Sequence, residues 1–140
     1  MKFFEKIQPG WALRLCLGLM YLYSGTDLFY RPENWLGFLP PWFSHVVANM
    51  VSLETYLRFQ GIAEFCIGLL LLAWFSGKWG VRIASVLAFL EMSFILIFVG
   101  IDPITFRDIG LLGGALALII ISFKDSGVSV SRDSFSGTTS

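Results

Sequence analysis

Four apolar stretches, each long enough to cross a bilayer, carry ionisable residues in their interiors. A hydrocarbon core about 30 Å thick takes about 20 helical residues. Glu64, Glu91, Arg107 and Asp108 fall inside such stretches, and Asp27 falls near the end of another. A charge in lipid costs several kcal/mol, so such residues turn toward a protein interior or a water-filled cavity. Length and charge together predict an all-α fold: an integral membrane four-helix bundle around a buried polar layer.

The helices are expected at about Trp11–Phe29, Leu57–Phe75, Val81–Val99 and Pro103–Phe123. Ser76, Gly77 and Gly80 mark a turn between the second and third. Asp102 suits an N-cap and Pro103 the first position of the last helix. Lys2 and Lys6 ahead of an apolar run imitate a secretory signal. The run far exceeds the roughly 7–15 residues of such a signal, and no small-residue cleavage site closes it, so an uncleaved first helix is expected. Only 14% of the 140 residues are charged, against roughly 25% in soluble domains. A single membrane domain over residues 1–123 follows. The net charge of +0 offers nothing to nucleic acid.

Lys2, Lys6, Lys78, Arg82, Lys124 and Arg132 collect on one side, and Arg31, Arg58 and Arg107 on the other. The richer side is expected to be cytoplasmic, which puts both termini there. Trp11, Trp35, Trp42, Trp74 and Trp79 lie near predicted helix ends, as in an aromatic belt. The first outer connection, about Arg31 to Tyr56, contains Pro40-Pro41. A short helix from Pro41 is expected to lie in the interface. Phe43, Val46, Val47, Met50 and Val51 would share one side, and His45, Asn49 and Ser52 another. Such a helix would serve as a lid or as a simple connector. The Ser/Gly/Thr-rich segment 124–140 cannot bury a core and is expected to be a disordered cytoplasmic tail.

Depth and phase assemble the polar layer. At 1.5 Å per residue, Asp27 lies about 5 Å and Arg107 about 6 Å below the outer boundary, with Glu64 about 10 Å and Glu91 about 12 Å down. Arg58 sits at the rim. Glu64 shares a helix face with Gly61 and Gly68, Glu91 with Ala84 and Ala88, and Arg107 with Gly110 and Gly114. Small residues mark helix contacts in membranes. Arg14, Gly18, Tyr21 and Gly25 form a comparable stripe, which Asp27 does not share. Four carboxylates face two arginines, so one or more acids are expected in the neutral form that burial favours. A proton-exchanging or headgroup-binding layer is one reading, and a salt bridge that fixes packing is the other. Arg14, one turn from Trp11, is expected to snorkel to the inner headgroups.

Other chemistries are not encoded. Cys16 and Cys66 are too far apart axially for a disulfide. His45 is the single histidine, so no two-histidine haem or zinc site is available, and no metal site is expected. Gly110 and Gly114 form a small-xxx-small motif, which suggests close packing or a homo-oligomer.

The first helix reads Leu13-Arg14-Leu15, then Tyr23-Ser24-Gly25-Thr26-Asp27-Leu28-Phe29, followed by Pro32. The second carries Gly61-Ile62-Ala63-Glu64 and Gly68-Leu69-Leu70-Leu71. The last opens Phe106-Arg107-Asp108-Ile109-Gly110-Leu111-Leu112-Gly113. Over about residues 11–123 the chain resembles the DoxX and DoxX-like group of small four-helix bacterial membrane proteins. In that group a lysine often follows Ser-Gly, and here Asp27 falls in that neighbourhood. The resemblance implies a multi-pass protein of the bacterial plasma membrane. It also implies a redox-linked role, beside a membrane partner protein and with a quinone as the natural small molecule. In that setting Glu64 and Glu91 would exchange protons or hydrogen-bond, and Arg107 would anchor a carbonyl or counter the acids, oriented by Asp108. A non-catalytic scaffold is the main alternative. A small proton-coupled transporter is weaker, because Ala115 to Ile121 offers no polar path.

Overall fold

The computed structural model describes residues 8–73, 77–99 and 106–133, with side chains in the last segment from 108 to 124. Every element among them is helical. Helix α1 spans Pro9–Tyr30, α2 Pro41–Ala48, α3 Leu53–Leu72, α4 Gly77–Phe98 and α5 Phe106–Asp133, and a 3₁₀ helix, Pro32–Phe38, joins α1 to α2. By length and composition, α3 and α4 can each cross a membrane.

Local chemistry moves the helix ends from where apolar content alone puts them. Helix α3 begins at Leu53 rather than Leu57, because the Ser52 hydroxyl accepts the Thr55 backbone N–H at 3.3 Å and caps the polar first turn. Its last turn closes through the Ala73 N–H on the Leu69 carbonyl at 2.7 Å. Gly77 has φ +60, a left-handed conformation that glycine adopts without strain. The chain re-enters a helix there, so Gly80, expected in the turn, is helical. Helix α5 continues to Asp133, beyond the expected end at Phe123 and into the segment expected to be a disordered tail. No proline interrupts that stretch, so the backbone ladder is not broken where the apolar pattern stops. The expected Ser76 turn and Asp102-Pro103 cap lie outside the described residues, as do Trp74 and residues 134–140.

The most extensive contact is between α1 and α3. It is a backbone contact. A Cβ on Gly25 would stand 2.6 Å from the Gly61 carbonyl oxygen, and one on Gly61 would stand 2.7 Å from the Gly25 oxygen. Only hydrogen fits at either position. Helices α4 and α5 pack on each other and on this pair. Leu17, Tyr21, Leu71, Ala84, Ala88, Ala115 and Leu118 form the centre. Large apolar side chains also point outward, among them Leu19 of α1, Ile62 of α3, Phe94 and Ile97 of α4 and Ile120 of α5. Gly110 meets nothing within 4 Å, whereas Gly114 looks toward Leu13 and Leu17 at 3.8–3.9 Å. The two glycines therefore do not act together within the chain.

Substituting Gly25→Ala is expected to cost about 1–3 kcal/mol, the range for overpacking a tight interface. It would appear as a lower thermal midpoint of the solubilised chain. Gly113→Ala, which meets nothing within 4 Å inside α5, should not destabilise and gains up to about 1 kcal/mol of helix propensity. Equal effects would contradict the backbone contact.

Candidate functional site

The α1–α3 contact sets two polar turns side by side: Tyr21, Ser24 and Asp27 on α1, and Gln60 and Glu64 on α3. Glu64 lies one turn from Gly61, so it points the same way as the glycine contact and is only 6% exposed. Ser24 and Gln60 both hydrogen-bond to it. The Gln60 amide N–H₂ also donates to Glu91 Oε1 on α4. An amide has two N–H donors and a carbonyl, so one side chain serves both acids. The other oxygen of Glu91, Oε2, is buried and has no hydrogen-bond partner among the described residues. Tyr21 is fully buried beneath the pair, and its hydroxyl donates to the Ala88 carbonyl at 3.2 Å.

Above this layer a cavity of about 510 Å³ opens between α1, α4 and α5. Asp27, Glu64 and Asp108 face it from three different helices, with Ser24 between them. Asp108, in the first turn of α5, is 8% exposed. Met20, Met92, Ile95 and Leu111 make the apolar wall. The 3₁₀ helix closes one side with Asn34, Trp35 and Phe38, and the Trp35 indole N–H donates to Asp27 Oδ2 at 2.9 Å. Outside it, α2 turns Val47 inward and leaves Val46 exposed, and Met50, just past its end, is exposed too. The five apolar residues expected on one side of α2 are therefore split. Phe43 packs on Tyr56 at 5.4 Å and Trp42 on Phe98 at 5.5 Å, which ties the connection to α3 and α4.

Of the expected polar layer, Asp27, Glu64 and Asp108 share the cavity, and Glu91 joins through Gln60. Asp27 is a full member although it lies off the Gly18–Tyr21–Gly25 stripe, because Trp35 and the end of α1 hold it over the opening. Arg58 is turned to the Phe29 ring, 5.9 Å from its centroid, and does not line the cavity. The Arg107 side chain lies outside the described residues. Gln60 and Trp35 are the members that sequence reading missed. Gln60 precedes Glu64 by one helical turn, and a neutral polar residue at that spacing was the available signal.

Asp27 and Glu64 present carboxyl oxygens to an apolar-walled space, which suits a ligand that brings hydrogen-bond donors. Cys16 and Cys66 are free and exposed. No group of three metal-binding side chains that could hold an ion occurs among the described residues. No family model, curated protein or solved structure matches the chain.

Gln60→Leu removes the donor that Glu91 Oε1 uses and that Glu64 shares. Leaving such groups unsatisfied costs about 1–3 kcal/mol. A fall in thermal midpoint of the solubilised chain is the expected result. An unchanged midpoint would contradict the bridge.

Proposed function

We propose that this chain is a multi-pass protein of the bacterial plasma membrane, a DoxX-like four-helix bundle with both termini in the cytoplasm. In this reading α1, α3, α4 and α5 all cross the bilayer, and the outward Leu19, Phe94, Ile97 and Ile120 meet lipid. Its role is that of an accessory subunit of a membrane redox system, beside a partner protein that carries the electrons onward. The cavity under the 3₁₀ helix receives the headgroup of a quinone in its reduced, hydroxyl-bearing form. One observation carries this reading: Asp27, Glu64 and Asp108 converge from three helices on one apolar-walled space.

A bound quinol supplies two protons and two electrons. Carboxylate oxygens accept hydrogen bonds from phenolic hydroxyls, so Glu64 and Asp27 orient the headgroup. Glu64 also takes a proton, with Ser24 and Gln60 holding its carboxyl in place. Glu91, tied to Glu64 through Gln60, is the second proton-holding group, set deeper. The Met20, Met92 and Leu111 wall accommodates the apolar ring and the start of its tail. The open face at Gly110 and Gly113 is where the partner or a second copy approaches α5.

The competing reading is a scaffold whose acids only hold the bundle together. The Gln60 bridge between α3 and α4 favours it. Transport is disfavoured by the apolar centre below the acids, where Leu17, Ala84, Ala115 and Leu118 close the bundle.

Glu64→Gln keeps the shape and one acceptor oxygen while removing proton exchange. In membranes with equal amounts of protein, quinol-dependent electron transfer should fall by on the order of 10²-fold, as for loss of a proton-transferring group. Parallel loss of protein and activity would support the scaffold instead, and full activity would remove Glu64 from the mechanism.

A further inference from the structure

A second cavity, of about 570 Å³, lies at the opposite end of the molecule from the acids. Among the described residues, its charged lining residues are Arg14 and Lys78, with no Asp or Glu. Trp11, Val81, Leu118 and Ile121 supply an apolar floor. Helices α1 and α4 both start at its mouth, and neither has an acidic residue in its first turn. Their positive dipole ends add to the two cations, and the negative end of α3, where Arg14 sits, offsets part of this.

Arg14 does not snorkel away from the bundle. Its Nε donates to the Leu71 carbonyl at 2.8 Å and one Nη to the Ala73 carbonyl at 3.0 Å, while its guanidinium lies 4.2 Å from the Trp11 ring centroid. These bonds hold the group rigidly at the C-terminal end of α3. A guanidinium has five N–H donors, so three remain for a ligand. The carbonyls carry only partial charge, so the cation is not neutralised. Lys78 is exposed at the rim. The result is a hydrogen-bonded cation, an exposed cation and an apolar floor in one pocket.

We propose that this cavity seats the phosphate of an anionic glycerophospholipid, with the acyl chains running down the apolar floor. The inference rests on the reading that the chain spans a bilayer with this end inward. Basic pockets between helices on the cytoplasmic side bind anionic headgroups on these terms. The shared chemistry is a phosphate monoanion or diester, so a soluble phosphate is the other source, and the test separates the two.

The full-length chain is purified in detergent and examined by native mass spectrometry. The probes are phosphatidylglycerol, phosphatidylcholine of the same acyl chains, and glycerol 3-phosphate. One phosphatidylglycerol per chain should be retained in preference to phosphatidylcholine. Lys78→Gln should weaken that retention about five-fold, which corresponds to about 1 kcal/mol per cation at 1.4 kcal/mol per tenfold. Lys78→Arg should restore it, and Lys124→Gln, a lysine that does not line the cavity, should leave it unchanged. Arg14→Gln should abolish it, but because Arg14 also caps α3 the Lys78 pair decides. Equal retention of the two lipids, or equal effects at Lys78 and Lys124, would overturn the site. Displacement by equimolar glycerol 3-phosphate would overturn the lipid in favour of a soluble phosphate. A chain that stays soluble without detergent would sink the membrane reading itself.

Discussion

The contact of α1 with α3 at Gly25 and Gly61 is the constraint on which the rest of the molecule depends. Each glycine's missing side chain is the other's carbonyl oxygen, at 2.6–2.7 Å from where a Cβ would sit. In lipid, helices gain little from hiding apolar surface, so close packing and hydrogen bonds between helices must hold a bundle together. Backbone approach of this kind supplies the packing. It also fixes where the neighbouring turns fall. Ser24 and Glu64 are each one turn or less from a contact glycine, and they meet as a consequence. Gln60, directly before Gly61, then reaches across to Glu91 on α4.

The molecule is chemically graded from end to end. The acids, Trp35 and the 3₁₀ helix occupy one end, with an acidic cavity. Leu17, Ala84, Ala115 and Leu118 close the middle. Arg14, Lys78 and Arg82 occupy the other end, where Arg82 donates twice to the Ser122 carbonyl at 3.0 and 3.2 Å and lies 4.6 Å from the Phe123 ring centroid. The acid-lined cavity and the cavity lined by Arg14 and Lys78 are separated by this apolar centre.

Much of this is legible in the sequence, and the physical reason is plain. Long apolar runs read as helices because few other structures hide that much backbone, and the helical phase of Gly61, Glu64 and Gly68 places all three on the buried side. The small-residue face of α4, Ala84 and Ala88, is read equally well. What escapes the reading depends on contacts between distant segments. Asp27 belongs to the cavity through Trp35, eight residues along on a separate element. Gln60 is a neutral residue whose importance exists only once Glu64 and Glu91 face each other. Arg14 turns inward because α3 ends beside it and leaves carbonyls to be satisfied, which periodicity within α1 does not reveal. Helix ends shift for similar reasons: Ser52 caps α3 early, and the left-handed Gly77 lets α4 start before its apolar run.

The central claim is that the acid-lined cavity under the 3₁₀ helix is a headgroup site. A photoreactive quinol analogue, cross-linked to the protein in native membranes and mapped by peptide mass spectrometry, tests it most directly. The account predicts adducts on cavity-facing positions such as Met20, Met92 or Leu111, suppressed by excess unlabelled quinol. Adducts spread over the outward-facing residues, or unaffected by competitor, would contradict it.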